Sequence, residues 1–197
     1  MSESVDIYEG EMPHQVWGHM GGHIGGLRQV CPDGEVFDAW TFRKNLFDIE
    51  GIGQKIEGNR VIEIGQGDCV LFRDYCIENR ASEYVGVDLF EAGSELIMMS
   101  DTVVQTVRAD MYQFLQKEPA DSALIAGFSS LCEDMMWVNY AREKFLVRKI
   151  VSAICAEVFR VAFPNEPLLL GAIGGVFEKE LPKAGFVNED DSWMKRV

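Results

Sequence analysis

No apolar run in this chain approaches the length that a membrane-spanning helix needs, and the acidic N-terminus has neither the basic stretch nor the apolar core of a secretory signal. A cytoplasmic protein is the expectation. Positive charge is equally scarce: 18 Lys and Arg stand against 32 Asp and Glu, a formal charge of −14. A field of that sign repels phosphate backbones and anionic lipid, so neither nucleic acid nor a membrane is an expected partner. The five cysteines (Cys31, Cys69, Cys76, Cys132 and Cys155) are scattered and include no Cys-x-x-Cys pair. That excludes the usual patterns of a disulfide framework or a cysteine zinc site. Cys76 and Cys155 fall in apolar helical patterns, where a buried thiol serves as a small hydrophobe. Internal repeats and low-complexity blocks are missing as well. At 197 residues the chain is one domain's worth, long enough for a single large core.

What is present is alternation. After an irregular arm, residues 1–59, short β-branched runs take turns with longer helical patterns through residues 60–197. RVIEIG reads as a strand, DCVLFRDYCIENR as a helix, EYVGVDL as a strand, EAGSELIMMS as a helix and TVVQTVRAD as a strand. The helix DMYQFLQK, the strand SALIAGF and a long helical stretch that Pro164 must end come next. In that stretch Leu146, Ile150, Ile154 and Val158 share one face, which should pack on the sheet. The strand PLLLGAI, the short helix VFEKELPKAG and a terminal hairpin around Asp190-Asp191-Ser192 complete the order. This is the pattern of an α/β fold, a mostly parallel sheet with helices on both faces.

In open sheets of this kind a ligand binds outside the carboxyl ends of the strands, where the strand order reverses. The first such end reads Glu63-Ile64-Gly65-Gln66-Gly67-Asp68-Cys69. Gly65 and Gly67 allow a tight turn and a close approach of ligand to backbone. Asp68 can cap the helix that follows, whose first N–H groups lack helical partners. Taken alone, a Gly-x-Gly turn is served equally well by geometry without a ligand. Asp88 changes the balance, because it ends the second strand twenty-one residues after Gly67, where a carboxylate accepts from both hydroxyls of a ribose. A dinucleotide site would carry a third glycine where Val70 stands, and the turn holds no basic residue for a pyrophosphate. A ligand bearing an ammonium and a sulfonium suits these acids better.

VIEIGQGDC followed by YVGVDL resembles the first two motifs of the class I S-adenosylmethionine-dependent methyltransferases, with Cys69 in place of the family's third glycine. The similarity continues through RADMYQF, DSALIAGFSSL and VFEKELPKAGF, and so spans about residues 60–197. It implies a Rossmann-like, doubly wound sheet of seven strands ending in an antiparallel hairpin, with S-adenosyl-L-methionine as cofactor. By position, the resemblance implies that Gly65 and Gly67 lie against the methionine moiety and ribose. Glu63 would help hold the amino group through its surroundings or a water. Asp88 would bind the ribose hydroxyls with Leu89 against the adenine. Asp110 would accept from the adenine amino group and the Met111 backbone would meet the ring. Gly127 would offer its carbonyl to the methionine ammonium. Taken alone, Asp110 is equally a helix N-cap.

Methyl transfer from a sulfonium is an in-line displacement that alignment and desolvation can largely supply. A general base is needed only where the acceptor must lose a proton. The loop after the fourth strand, Phe128-Ser129-Ser130, lacks the Asn/Asp-Pro-Pro-aromatic run of family members that methylate amino groups of bases or of glutamine. With the acidic charge, this points to a small-molecule acceptor, or at most a protein one, over nucleic acid. The arm at residues 1–59 is the expected lid, and holds His14, His19 and His23. His19 and His23 have the spacing of a helical metal pair, but Gly21 and Gly22 between them disfavour a helix, so no metal is expected. Were a base required, His19 and His23 are the first candidates. Trp17, Trp40 and Tyr140 either wall an acceptor pocket or fill core. Two alternatives remain: a non-catalytic cofactor-binding or scaffolding protein, and an aminopropyltransferase-like enzyme, whose Gly-Gly-Gly-Asp turn IGQGD resembles. The second lacks its acid in the strand-four loop. An NAD-dependent dehydrogenase is weaker still, and oligomeric state is open.

Overall fold

Five of the β-branched runs lie side by side and parallel. The computed structural model describes residues 28–30, 36–38, 51–65, 71–89, 95–127, 141–170, 175–189 and 192–196. A short antiparallel ribbon, β1 (Arg28–Val30) with β2 (Val36–Asp38), precedes the helix α1 (Ile52–Ile56). The central elements are β3 (Arg60–Ile64), α2 (Leu71–Glu78), β4 (Glu83–Asp88), β5 (Glu95–Met99) and β6 (Thr102–Arg108). Then come α3 (Met111–Leu115), β7 (Leu124–Gly127), α4 (Ala141–Val161), β8 (Leu169–Leu170) and α5 (Gly175–Ala184). A hairpin of β9 (Phe186–Glu189) and β10 (Ser192–Lys195) ends the chain, as its turn residues lead one to expect. The main sheet has six strands in the order β5-β6-β4-β3-β7-β8, all parallel except β5. The chain runs outward from β3 through β4 to β6, then crosses to β7 and β8 on the other side. Strand order therefore reverses at β3.

Residue alternation along the strands builds two cores. Val61, Tyr84, Val104 and Leu124 point to one face, where they meet Ile52 and Ile56 of α1 and Phe72, Tyr75 and Cys76 of α2. The 72, 75, 76 spacing is what turns one stripe of a helix inward. Ile62, Ile64, Val85, Val87 and Ile125 point to the other face, against Met111, Tyr112 and Leu115 of α3 and Ile150, Ile154 and Val158 of α4. The apolar stripe read from the sequence for α4 is thus the buried one, and all three of its described members are fully covered. That helix ends at Val161, ahead of Pro164, which cannot continue it. Cys76 and Cys155 are buried thiols, one in each core.

Among the elements read in residues 60–197, one differs from its sequence reading. EAGSELIMMS is expected to be a helix, yet Glu95–Met99 is the strand β5, antiparallel to β6. Met99 pairs with Thr102, so Ser100 and Asp101 form a two-residue hairpin turn, with Ser100 at φ 55°. Such turns need positive φ, and the run ELIMM has no helical period to oppose them. The reversal pairs β5 with the side of β6 that faces away from β4.

The amino ends of the strands are held by basic residues. Arg60 reaches Glu83 and Glu118 at 2.5 Å each, and Arg160 donates to the carbonyls of Leu115 (2.5 Å) and Glu118 (2.7 Å). Burial alone would depress the Arg60 guanidinium, but its two carboxylates hold it above its usual range. No helix among the described residues is long and apolar enough to cross a membrane.

Candidate functional site

The parallel strands bring four of the positions singled out in the sequence to one edge. Gly65 follows β3, and its N–H donates to the Val87 carbonyl (2.9 Å). Asp88 ends β4, and its carbonyl accepts from Ala109 N–H (3.0 Å) at the end of β6. Asp110 follows directly, and Gly127 ends β7 in register with Ile64. Across the edge the order is thus Asp110, Asp88, Gly65, Gly127, with the reversal of strand order in its middle.

Glu63 lies one step below this row. On the neighbouring strands its partners in register are Gly86 and Ala126, which bring no side chain and a single methyl to the face it points to. Glu63 is therefore flanked within the sheet by nothing larger than a methyl group. The Tyr84 hydroxyl, two residues before Gly86 on the same face, donates a hydrogen bond to Glu63 Oε2. Tyr84 is fully buried. Burial first, then the negative charge of Glu63, push its phenol well above the usual range, so it is a neutral donor at physiological pH. Burial and the same carboxylate also raise the Cys76 thiol. Tyr84 and Gly86 did not emerge from motif reading. The alternation in EYVGVD, placed beside RVIEI in parallel register, would have revealed them.

Two of the expected ligand residues have structural duties as well. Asp110 is 4 % exposed, and its Oδ1 accepts from Gln113 N–H (3.0 Å), capping α3. The N-cap reading of Asp110 is therefore fulfilled. Gly127 sits at φ 103°, and a Cβ there would lie 2.1 Å from the Ile64 carbonyl oxygen. Only glycine lets β7 pass β3 this closely. Leu89 packs against the α4-side core, and Met111, 9 % exposed, belongs to that core. Arg108, in register with Asp88, donates to the Leu89 carbonyl at 3.3 Å.

Gly67, Cys69 and Val70 of the glycine turn lie outside the described residues, as do His14, His19, His23, Trp17, Trp40 and Tyr140. Among the described residues no group of His, Cys, Asp and Glu is arranged to hold a metal ion. No protein-family model matches the sequence, and no curated protein matches it.

Proposed function

We propose that this protein binds S-adenosyl-L-methionine and transfers its methyl group to a small-molecule acceptor, in the cytoplasm. The observation that carries the reading is the row of Asp88, Gly65 and Gly127 at the strand-order reversal, with Glu63 between Gly86 and Ala126. Ligands of open α/β sheets lie at such a reversal. The carboxylates there favour a cationic nucleoside over a pyrophosphate. In this reading Asp88 accepts from the ribose hydroxyls, Gly65 with Gly67 allows close approach, and Glu63 faces the ammonium. Leu89 and Met111 border the adenine, Asp110 accepts from its amino group, and the Gly127 carbonyl accepts from the ammonium. When bound, S-adenosyl-L-methionine would supply an activated methyl group, for transfer to a lone pair of the acceptor with the thioether as leaving group.

The doubly wound, seven-stranded form of the fold belongs to the same proposal. Leu168 N–H donates to the Trp193 carbonyl (2.8 Å), Asn165 N–H to that of Lys195 (2.7 Å), and Pro167 bridges Met194 in antiparallel sense. These contacts support β10, and β9 beyond it, as continuations of the sheet past β8. In that view β5 is an addition at the opposite edge.

Calorimetry with S-adenosylmethionine, its demethylated product and NAD tests the reading. The first two should bind, and Asp88→Ala should weaken both at least tenfold, which corresponds to about 1.4 kcal/mol. Binding of NAD alone would overturn the cofactor assignment. Tight binding without turnover on any acceptor pool would favour a scaffolding protein instead.

A further inference from the structure

The strand that differs from its sequence reading is also the most exposed apolar element among the described residues. β5 ends the six-stranded sheet, and no described strand lies against its outer side. Leu96 is 69 % exposed, Ile97 42 % and Met98 64 %. These residues alternate, so both faces of the strand are apolar. Leu96 and Met98 extend one face of the sheet beside Gln105 and Val103, and Ile97 stands on the other beside Val104. Exposed edges of this composition are ordinarily shortened, charged or covered. Here the edge carries one charge, Glu95, at its start.

We propose that β5 is a self-association edge, pairing antiparallel with β5 of a second copy to continue the sheet across a two-fold axis. The hydrogen-bonding row along a strand edge is satisfied by another strand, and a two-fold interface must be self-complementary. β5 meets that requirement in one register. Only pairs of equal parity share a face, and centring on Ile97 engages all five residues. Ile97 then faces Ile97 of the copy, and Leu96 faces Met98 in both directions. Glu95 opposes Met99, so no two acids meet. Asp101 is in the hairpin turn and outside the ladder. The formal charge of −14 opposes this pairing at long range, so association should strengthen with added salt. A basic partner on the same edge would show the opposite salt dependence.

Sedimentation of the full chain across the micromolar range, at low and high salt, is the first test. The apparent mass should double with concentration, at lower concentration in high salt. Leu96→Lys/Met98→Lys should return the mass to one copy with an unchanged circular dichroism spectrum. Register is tested separately by mild oxidation. Residues directly opposite have Cβ atoms roughly 4.5–5.5 Å apart, whereas diagonal neighbours are roughly 7–8 Å apart. Ile97→Cys should therefore add a cross-linked dimer above the wild-type background, and Leu96→Cys should not. A mass of one copy at every concentration and salt overturns the proposal. So does a dimer that survives the lysine pair, or one cross-linked equally through both cysteine positions.

Discussion

Replacing Tyr84 with Phe removes one oxygen from a fully buried side chain, and its consequences separate by pH. At neutral pH the variant loses the hydroxyl that donates to Glu63 Oε2. A hydrogen bond to a charged group contributes about 1.5–3 kcal/mol, so the loss should be on the order of 2 kcal/mol. The alkaline limb carries the sharper signal. Burial and then the Glu63 charge raise the Tyr84 phenol well above its ordinary value of 10.0. The unfolded chain therefore releases this proton above that value while the folded chain keeps it. A raised folded pKa gives stability that is full below the unfolded pKa and is lost as pH rises toward the folded one. For one group the slope is about 1.4 kcal/mol per pH unit. Cys76 is raised from 9.0 by burial and by Glu63, so it contributes in the same sense from a lower pH. Wild-type stability should thus fall above pH 9 from the thiol and more steeply above pH 10 from the phenol. The Phe variant should keep the first component and lose the second. Urea titrations at successive pH values measure this directly. The two stability curves, about 2 kcal/mol apart at neutral pH, should converge above pH 10. Curves that stay parallel through that range would refute a buried neutral phenol on Glu63.

Two further perturbations act on the edge row. Gly127→Ala forces a side chain to φ 103° and sets its Cβ against the Ile64 carbonyl, so backbone strain and overpacking together should cost about 2–6 kcal/mol. A melting temperature within a degree or two of wild type would show that β7 does not need the glycine. Asp110→Ala should cost about 1 kcal/mol through loss of the α3 cap, whereas Asp110→Asn should leave stability nearly unchanged, because asparagine caps as well as aspartate. In calorimetry with S-adenosylmethionine the Asn variant should nevertheless bind more weakly. Its capping oxygen turns an amide N–H toward the adenine amino group, donor against donor. Equal binding by Asp110→Asn and wild type would remove Asp110 from the ligand set.

Much of the sheet was legible because its strands are short, β-branched and separated by helices with a clear stripe. Val61, Ile62 and Ile64 of RVIEI are all buried, and so are Ile150, Ile154 and Val158. β5 was not legible for a physical reason. ELIMM carries two methionines, a leucine and a glutamate, all good helix formers, and nothing within the run opposes a helix. The deciding contact is the unpaired side of β6, which the run itself does not reveal. The tertiary partner outweighed local preference there. The site divides in the same way. Gly65, Asp88 and Gly127 follow from their places at strand ends. Tyr84 and Gly86 come beside Glu63 through register across two strands, and register is set by the folded sheet.

A rule that selects residues at carboxyl ends of strands also selects the residues that the fold needs there. Gly127 clears the Ile64 carbonyl, and Asp110 caps α3. Loss of ligand binding in Gly127→Ala would therefore say nothing about a carbonyl facing an ammonium, since the strand pair itself would be disturbed. At Asp88 the backbone carbonyl joins the sheet through Ala109, so replacing the carboxylate leaves that hydrogen bond in place. Glu63 is intermediate, because Tyr84 depends on its carboxylate. Glu63→Gln keeps an acceptor for that hydroxyl while removing the charge, whereas Glu63→Ala removes both. If the ammonium is recognised by charge, Glu63→Gln should lose affinity for S-adenosylmethionine but not for a nucleoside thioether lacking the amino acid. The folded state should change little. Equal losses for both ligands would move the role of Glu63 from recognition of the amine to support of the sheet.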